Sequence, residues 1–204
     1  MKTIILSSKI IIDQHQKISF QIDQDLSNFL NYLDLKIFPN ALKNNDLKLD
    51  RAKHADGLIL AGGGDLFRYK KNKLNQIRDN YEKKLFNHFL KENKPILTIC
   101  RGFQLMAELN KIKLHKVKNH VQKHHSLKLR KSKYINYSSL TVNSYHNYSV
   151  LKLPNEYLNI SNTKDGSIEI AEHKHKKVLC LMFHPERPMK SQQLILKSIK
   201  KFFQ

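Results

Sequence analysis

The sequence predicts an α/β protein built on a mostly parallel sheet, and three observations carry that expectation. Short apolar runs are followed three times by a turn and a helix-periodic segment, which is the alternation that parallel strands with crossover helices require. The last third instead strings together strand-like runs with a turn signal at Asp165-Gly166, so an antiparallel extension is expected there. The length of 204 residues suits one domain, taken here as residues 1–204.

The first unit opens with Ile4-Ile5-Leu6, after which Leu26, Phe29, Leu30 and Leu33 recur at i, i+3, i+4 and i+7, the stripe of an amphipathic helix. A second run, Asp56 to Leu60, ends at Gly62-Gly63-Gly64 and leads to Ile77, Tyr81, Leu85 and Phe89 at four-residue steps. The third, Pro95 to Ile99, closes at Cys100 and Gly102, and Phe103 to Leu109 reads as the following helix. From Lys111 to Lys133 the chain is basic and rich in histidine, and it reads as loops or edge strands. Strands are expected at Ser139–Val142, Tyr157–Ile160, Ser167–Ala171 and Val178–Phe183, and a closing helix carries Ile195, Ile199, Phe202 and Phe203 on one face.

Composition narrows the function classes. Hydrophobic residues make up 40% and charged residues 26%, as in ordinary globular proteins. The formal net charge of +20 invites a nucleic-acid reading, because lysine and arginine displace counterions from phosphates. Only six of the 37 basic residues are arginine, however, and the lysines are spread from Lys2 to Lys201, the pattern of a solvated surface suited at most to an anionic small substrate. Two cysteines fit a reducing compartment. The apolar stretch Ile4 to Ile12 is broken by Lys9 and is shorter than the roughly 20 residues of a membrane span, so a cytoplasmic location is expected.

Cys100 sits where a buried strand gives way to a helix, the geometry of a nucleophile elbow, and Gly102 lets that helix start close to the strand. The helix dipole and a nearby imidazole would favour the thiolate. Cys180 lies within the continuous apolar run Val178 to Phe183 and reads as inert core. His184-Pro185-Glu186 follows directly, and residues two apart on an extended chain point the same way, so Glu186 can orient His184. A thiol, an imidazole and a carboxylate in these roles make an acyl-transfer triad. The glycine run Gly62-Gly63-Gly64 offers backbone N–H groups to an oxyanion or phosphate, without the lysine-serine ending of a P-loop. His120, His124 and His125, or His173 and His175, have ligand-like spacing, but no cysteine or carboxylate completes a tetrahedral set with them, so neither a metal nor a cofactor is expected.

Together these segments resemble the class I glutamine amidotransferase superfamily, and within it the γ-glutamyl-γ-aminobutyrate hydrolase-like family. The resemblance rests on Cys100-Arg101-Gly102-Phe103-Gln104, Gly62-Gly63-Gly64-Asp65 and Phe183-His184-Pro185-Glu186, in that family's landmark pattern. Arg78-Asp79 with Glu82, Val142 to His146, and Asp165 to Glu169 add to it, over roughly residues 56 to 187. It implies a doubly wound, flavodoxin-like sheet and hydrolysis of a γ-glutamyl amide through a thioester. Cys100 would be nucleophile, His184 base and acid, and Glu186 its orienting carboxylate. Backbone N–H groups of Gly63 and Arg101 would hold the oxyanion, and Gly62, Gly64, Gln104, Asn143, Ser144 and His146 would lie near the glutamyl group. Thr98 stands where the family has glycine or another small residue, which implies looser or shifted helix–strand packing at the elbow. The segment Val142 to Tyr148 is similar to a branch acting on γ-glutamyl cytidine-diphosphate amidate in surface-polysaccharide modification.

Two other readings share these residues. The same triad would serve a glutaminase subunit that delivers ammonia to a separate synthase. From another class, an inactive scaffold of this type could bind nucleic acid through its lysines. No membrane partner is expected.

Overall fold

The computed structural model describes every residue except 16, 39–41, 44–45 and 48–49. In chain order its first half holds β1 (Lys2–Ser7), β2 (Lys9–Ile12), β3 (Ile18–Gln21), α1 (Gln24–Leu33), β4 (Leu35–Phe38), β5 (Leu42–Lys43), β6 (Asp46–Leu47), α2 (Asp50–Lys53), β7 (Gly57–Leu60) and α3 (Lys73–Lys91). The second half holds β8 (Ile96–Ile99), α4 (Arg101–Leu109), β9 (His115–Lys116), β10 (Val121–Lys128), β11 (Ser139–Tyr145), β12 (Tyr148–Ser149), β13 (Tyr157–Asn162), β14 (Ile168–His173), β15 (Val178–Leu181) and α5 (Gln192–Phe203).

Seven strands form the central sheet in the order β13-β14-β15-β8-β7-β1-β4. β15, β8, β7, β1 and β4 are parallel, while β14 runs against β15 and β13 against β14, which gives the expected parallel sheet with an antiparallel extension. The three innermost strands, β7, β8 and β15, are buried at every position because helices cover both faces. Alternation along each strand sorts the core. Ile4, Leu6, Ile59, Leu97, Ile99, Leu179 and Leu181 pack with Leu26, Phe29, Leu30 and Leu33 of α1 and Ile195, Ile199, Phe202 and Phe203 of α5. Ile5, Leu58, Leu60, Ile96, Val178 and Cys180 pack with Tyr81, Leu85 and Phe89 of α3 and Phe103 and Met106 of α4. Each such fully buried side chain contributes about 1.5–3 kcal/mol, and truncating one, as in Phe89→Ala, would cost about 3–5 kcal/mol.

Local chemistry sets the helix limits. Asp23 accepts a hydrogen bond from the Leu26 backbone at 2.9 Å to start α1, and Asp34 ends it in the left-handed region at φ 55°. Asn72 caps α3 through Asn75 N–H at 2.8 Å. The apolar stretch Ile4 to Ile12 is not one strand: Ser8 breaks it, and β2 leaves the sheet to form a hairpin with β3. The histidine-rich segment, read as loops or edge strands, supplies β9 and β10, and β10 pairs with β11.

The strand order places a reversal between β1 and β7, with β4 on one side and β8 on the other. Ligands of open α/β sheets bind beyond the carboxyl ends of the strands near such a point. Since β7, β8 and β15 are adjacent and parallel, the residues after Leu60, Ile99 and Leu181 emerge along one edge.

Candidate active site

That edge carries Gly62-Gly63-Gly64 after β7, Cys100 after β8 and His184 after β15. Cys100 is the residue between strand and helix, at φ 48° and ψ −99°, a left-handed backbone that costs on the order of 1–3 kcal/mol for a non-glycine residue. Its N–H is tied to the Leu181 carbonyl at 2.7 Å, and its own carbonyl accepts from Gln104 N–H, so sheet and helix hold the turn from both sides. A Cβ at Gly102 would come within 2.5 Å of the Leu60 carbonyl oxygen, which is the close approach that only glycine permits there. The expected loosening at Thr98 is therefore corrected: α4 packs tightly on β7, and Thr98 turns its fully buried side chain toward Cys180. Burial pushes the Cys180 thiol up to about 12, in keeping with an inert core position.

His184 is buried, and its Nδ1 lies 2.6 Å from Oε1 of Glu186. The contact does not arise from an extended strand. Arg187 N–H donates to the His184 carbonyl at 3.1 Å, so residues 184 to 187 form a turn, with Pro185 at the position where its fixed φ is favoured. Burial works to lower the His184 pKa, but coupling to Cys100 and to the Glu186 carboxylate outweighs it, and the imidazolium is favoured up to about 10. The ring rests on Gly62, where a Cβ would meet its Cε1 at 2.5 Å. Asn143, from β11, brackets the His184 backbone: its Oδ1 accepts from His184 N–H at 2.9 Å and its Nδ2 donates to the His184 carbonyl at 2.8 Å.

Gly63 and Gly64 adopt positive φ of 86° and 76°. The buried guanidinium of Arg78 fixes this loop by donating to the carbonyls of Ala61 (2.8 Å), Gly62 (3.2 Å) and Gly63 (2.6 Å). With the carbonyls turned to Arg78, the peptide N–H groups are left for other partners. Arg78 also pairs with Glu82 at 2.8 Å, and Glu82 accepts from Ser7 Oγ at 2.7 Å and from Arg101, whose other arm meets Asp79. Burial raises the Glu82 pKa, yet the guanidiniums of Arg101 and Arg78 overcome it and hold the carboxyl below its ordinary range. Burial lowers Arg78 to about 10, still charged at neutral pH. The resemblance flagged Arg78, Asp79 and Glu82 without a role. A signal was present, since Arg78 and Glu82 fall inside the apolar stripe of Tyr81 and Leu85, where a solvated pair would not sit.

The remaining expected site residues divide. Gln104 donates to the Tyr148 carbonyl at 2.9 Å, and Ser144 Oγ donates to the His120 carbonyl at 2.6 Å. His146 turns its ring away to Glu169, with Nε2 3.4 Å from Oε1. Two carboxylates do stand beside this histidine segment. Glu169 joins His120 and His146, and Asp165 lies 2.8 Å from His120 Nε2. His124 is exposed and outside this group, and His173 Nδ1 accepts from the backbone of His175 and Lys176 in a turn.

Sequence reasoning missed Lys9, Tyr145 and Arg187. Arg187 lies over the Tyr145 ring at 4.6 Å, and that ring meets His184 edge-on at 5.8 Å. Lys9, Lys70, Gly63, Gly64 and Arg78 line a cavity of about 180 Å³ beside the glycine loop. No helix among the described residues is long and apolar enough to cross a membrane.

The profile of a family described as Peptidase C26 matches residues 37–186. The chain is 36% identical to a gamma-glutamyl-CDP-amidate hydrolase of Campylobacter jejuni subsp. jejuni, over 64% of this chain and 62% of that protein. It is 26% identical to a glutamine amidotransferase-like protein of Lactococcus lactis subsp. lactis, over 64% of this chain and 66% of that one. The chain thus spans just under two thirds of the length of these curated relatives. Among solved structures, a GMP synthase subunit from Thermoplasma acidophilum superposes with a TM-score of 0.75 at 22% identity, covering 100% of this chain and 94% of that one. A glutamine amidotransferase from Thermotoga maritima gives 0.67 at 16% identity, covering 98% and 82%. At those identities the likeness is one of fold.

Proposed function

This chain belongs to the peptidase C26 family, of class I glutamine amidotransferase type, and from that premise we propose that it hydrolyses a γ-glutamyl amide through a cysteinyl thioester. The observation that carries the reading is buried His184, its Nδ1 2.6 Å from Glu186, at the end of β15 beside β8, which Cys100 follows. In this reading the Cys100 sulfur attacks the γ-carbonyl, and the oxygen's developing charge is met by the N–H groups of Gly63 and Arg101. His184, whose protonated form is favoured by coupling to Cys100 and to the Glu186 carboxylate, gives its proton to the departing amine. It then takes a proton from the water that cleaves the thioester and releases glutamate. Glu186 orients the ring throughout, and Asn143 fixes the backbone from which the ring projects.

The proposed leaving group is an amine joined to phosphate, of the kind named for the Campylobacter jejuni relative. Support comes from the cavity beside the glycine loop, where Lys9 and Lys70 supply positive charge next to Gly63 and Gly64. A place in surface-polysaccharide modification is proposed with it, on the resemblance of Val142 to Tyr148. Action in the cytoplasm is part of the same proposal, consistent with two free cysteines.

A product assay across glutamine, γ-glutamyl-aminobutyrate and a nucleotide-linked γ-glutamyl amidate tests this reading. The nucleotide-linked amidate is expected to turn over fastest, with glutamate released without a partner protein. In Cys100→Ala, cleavage should fall to background, a loss of more than about 10³-fold. Turnover surviving in Cys100→Ala would remove the nucleophile assignment, and ammonia release only with an added synthase would favour a glutaminase subunit.

A further inference from the structure

A second polar centre lies apart from the candidate triad, where the β10–β11 hairpin meets the turn into β14. Val121 pairs with Tyr145 at the open end of the hairpin, so the residues just outside the pair, His120 and His146, are brought face to face. His146 N–H donates to the His120 carbonyl at 3.3 Å, and the two rings lie 4.7 Å apart. Glu169 enters from β14, fully buried. Its Oε1 is 3.4 Å from His146 Nε2 and 3.9 Å from His120 Nδ1, and one donor atom from each of the three residues fits within 4.8 Å of the others.

Two further observations point to a ligand here. Both ring nitrogens of His146 and both carboxylate oxygens of Glu169 are buried without a hydrogen-bond partner among the described residues, a costly arrangement unless something else engages them. His120, in contrast, has its Nε2 held by Asp165 at 2.8 Å, which leaves Nδ1 facing Glu169. A carboxylate behind a histidine is the support that metal-ligating imidazoles ordinarily have. Asp165 is itself fixed by the Ser167 N–H at 3.1 Å. The half-buried His125 stands beside the group, its Nε2 3.1 Å from His120 Nδ1. Donors about 2.0–2.1 Å from a tetrahedral ion lie about 3.4 Å apart, and Glu169 Oε1 stands 3.4 Å from His146 Nε2 and 3.9 Å from His120 Nδ1.

We infer that His120, His146 and Glu169 bind one divalent cation of the zinc class. Two imidazoles and one carboxylate suit zinc and neighbouring transition ions and disfavour calcium or magnesium, which take oxygen ligands. The ion clips the hairpin bearing Asn143 and Tyr145 to the central sheet.

The test incubates the purified full-length chain with ZnCl₂, dialyses it against metal-free buffer, and measures retained zinc by elemental mass spectrometry. Cobalt(II) substitution is read in parallel by visible absorption. The expected result is one equivalent of zinc, a melting temperature raised by zinc and lowered by a chelator, and a cobalt spectrum without thiolate charge transfer. Cys100→Ser should retain the same equivalent. Glu169→Gln and His146→Gln should weaken zinc binding at least tenfold, and Asp165→Asn, at a partly exposed side chain, about 10–100-fold. Substoichiometric zinc in the wild-type chain, unchanged affinity in Glu169→Gln, or loss of the ion in Cys100→Ser would overturn the assignment.

Discussion

Beneath the glycine loop, Arg78, Asp79, Glu82 and Arg101 have every charged atom paired, whereas under the β10–β11 hairpin His146 and Glu169 leave four buried atoms without a partner. Both groups cross between elements, and both are removed from water. The difference lies in what each can still accept. A fully satisfied network has no capacity for a ligand and acts as a support, here for the loop carbonyls and for Arg101 beside Cys100. An unsatisfied one is either a local cost or a site.

The His184–Glu186 pair falls between the two, because Glu186 Oε1 is bonded to the imidazole while its Oε2 is buried without a partner among the described residues. Glu186→Gln should therefore give the largest effect, a fall in turnover of about 10³–10⁴-fold with little change in melting. Its pH profile sharpens the point. The folded state raises the His184 pKa, so the stability this adds is fully present below the ordinary imidazole value and is lost as pH rises toward about 10. The alkaline limb of activity should follow that titration, and in Glu186→Gln it should move to lower pH because one of the two raising charges is gone. An unmoved limb would show that Glu186 does not govern the ring.

Next in size, Glu82→Gln leaves two buried guanidiniums short of countercharge and should cost about 3–5 kcal/mol in denaturant unfolding. A change below 1 kcal/mol would break the comparison by showing that the network bears no strain from its buried charge. The smallest effect is expected for Glu169→Gln in metal-free buffer, within about 1 kcal/mol, since no hydrogen bond is lost there. A loss as large as that of Glu82→Gln would mean that Glu169 is already paired without an ion.

Much of the site was legible along the chain because its parts are local. The elbow needs only a strand, a residue tolerant of the turn, and Gly102 two places later. Glu186 reaches His184 within one turn, although through a tight turn instead of the extended geometry that residue spacing suggested. Asn143 was placed near the glutamyl group, but it grips the His184 backbone, a contact between residues 41 positions apart that no local pattern announces.

The sequence by itself determined the strand–helix alternation, the buried parallel strands, the glycine loop and the candidate nucleophile, because hydrophobic period and turn chemistry are properties of neighbouring residues. For the ten histidines other than His184, tertiary structure alone decided which would meet a carboxylate. The register of Val121 against Tyr145 sets His120 opposite His146, and the packing of β14 beneath them brings Glu169, so that chemistry depends on a strand pairing and not on spacing.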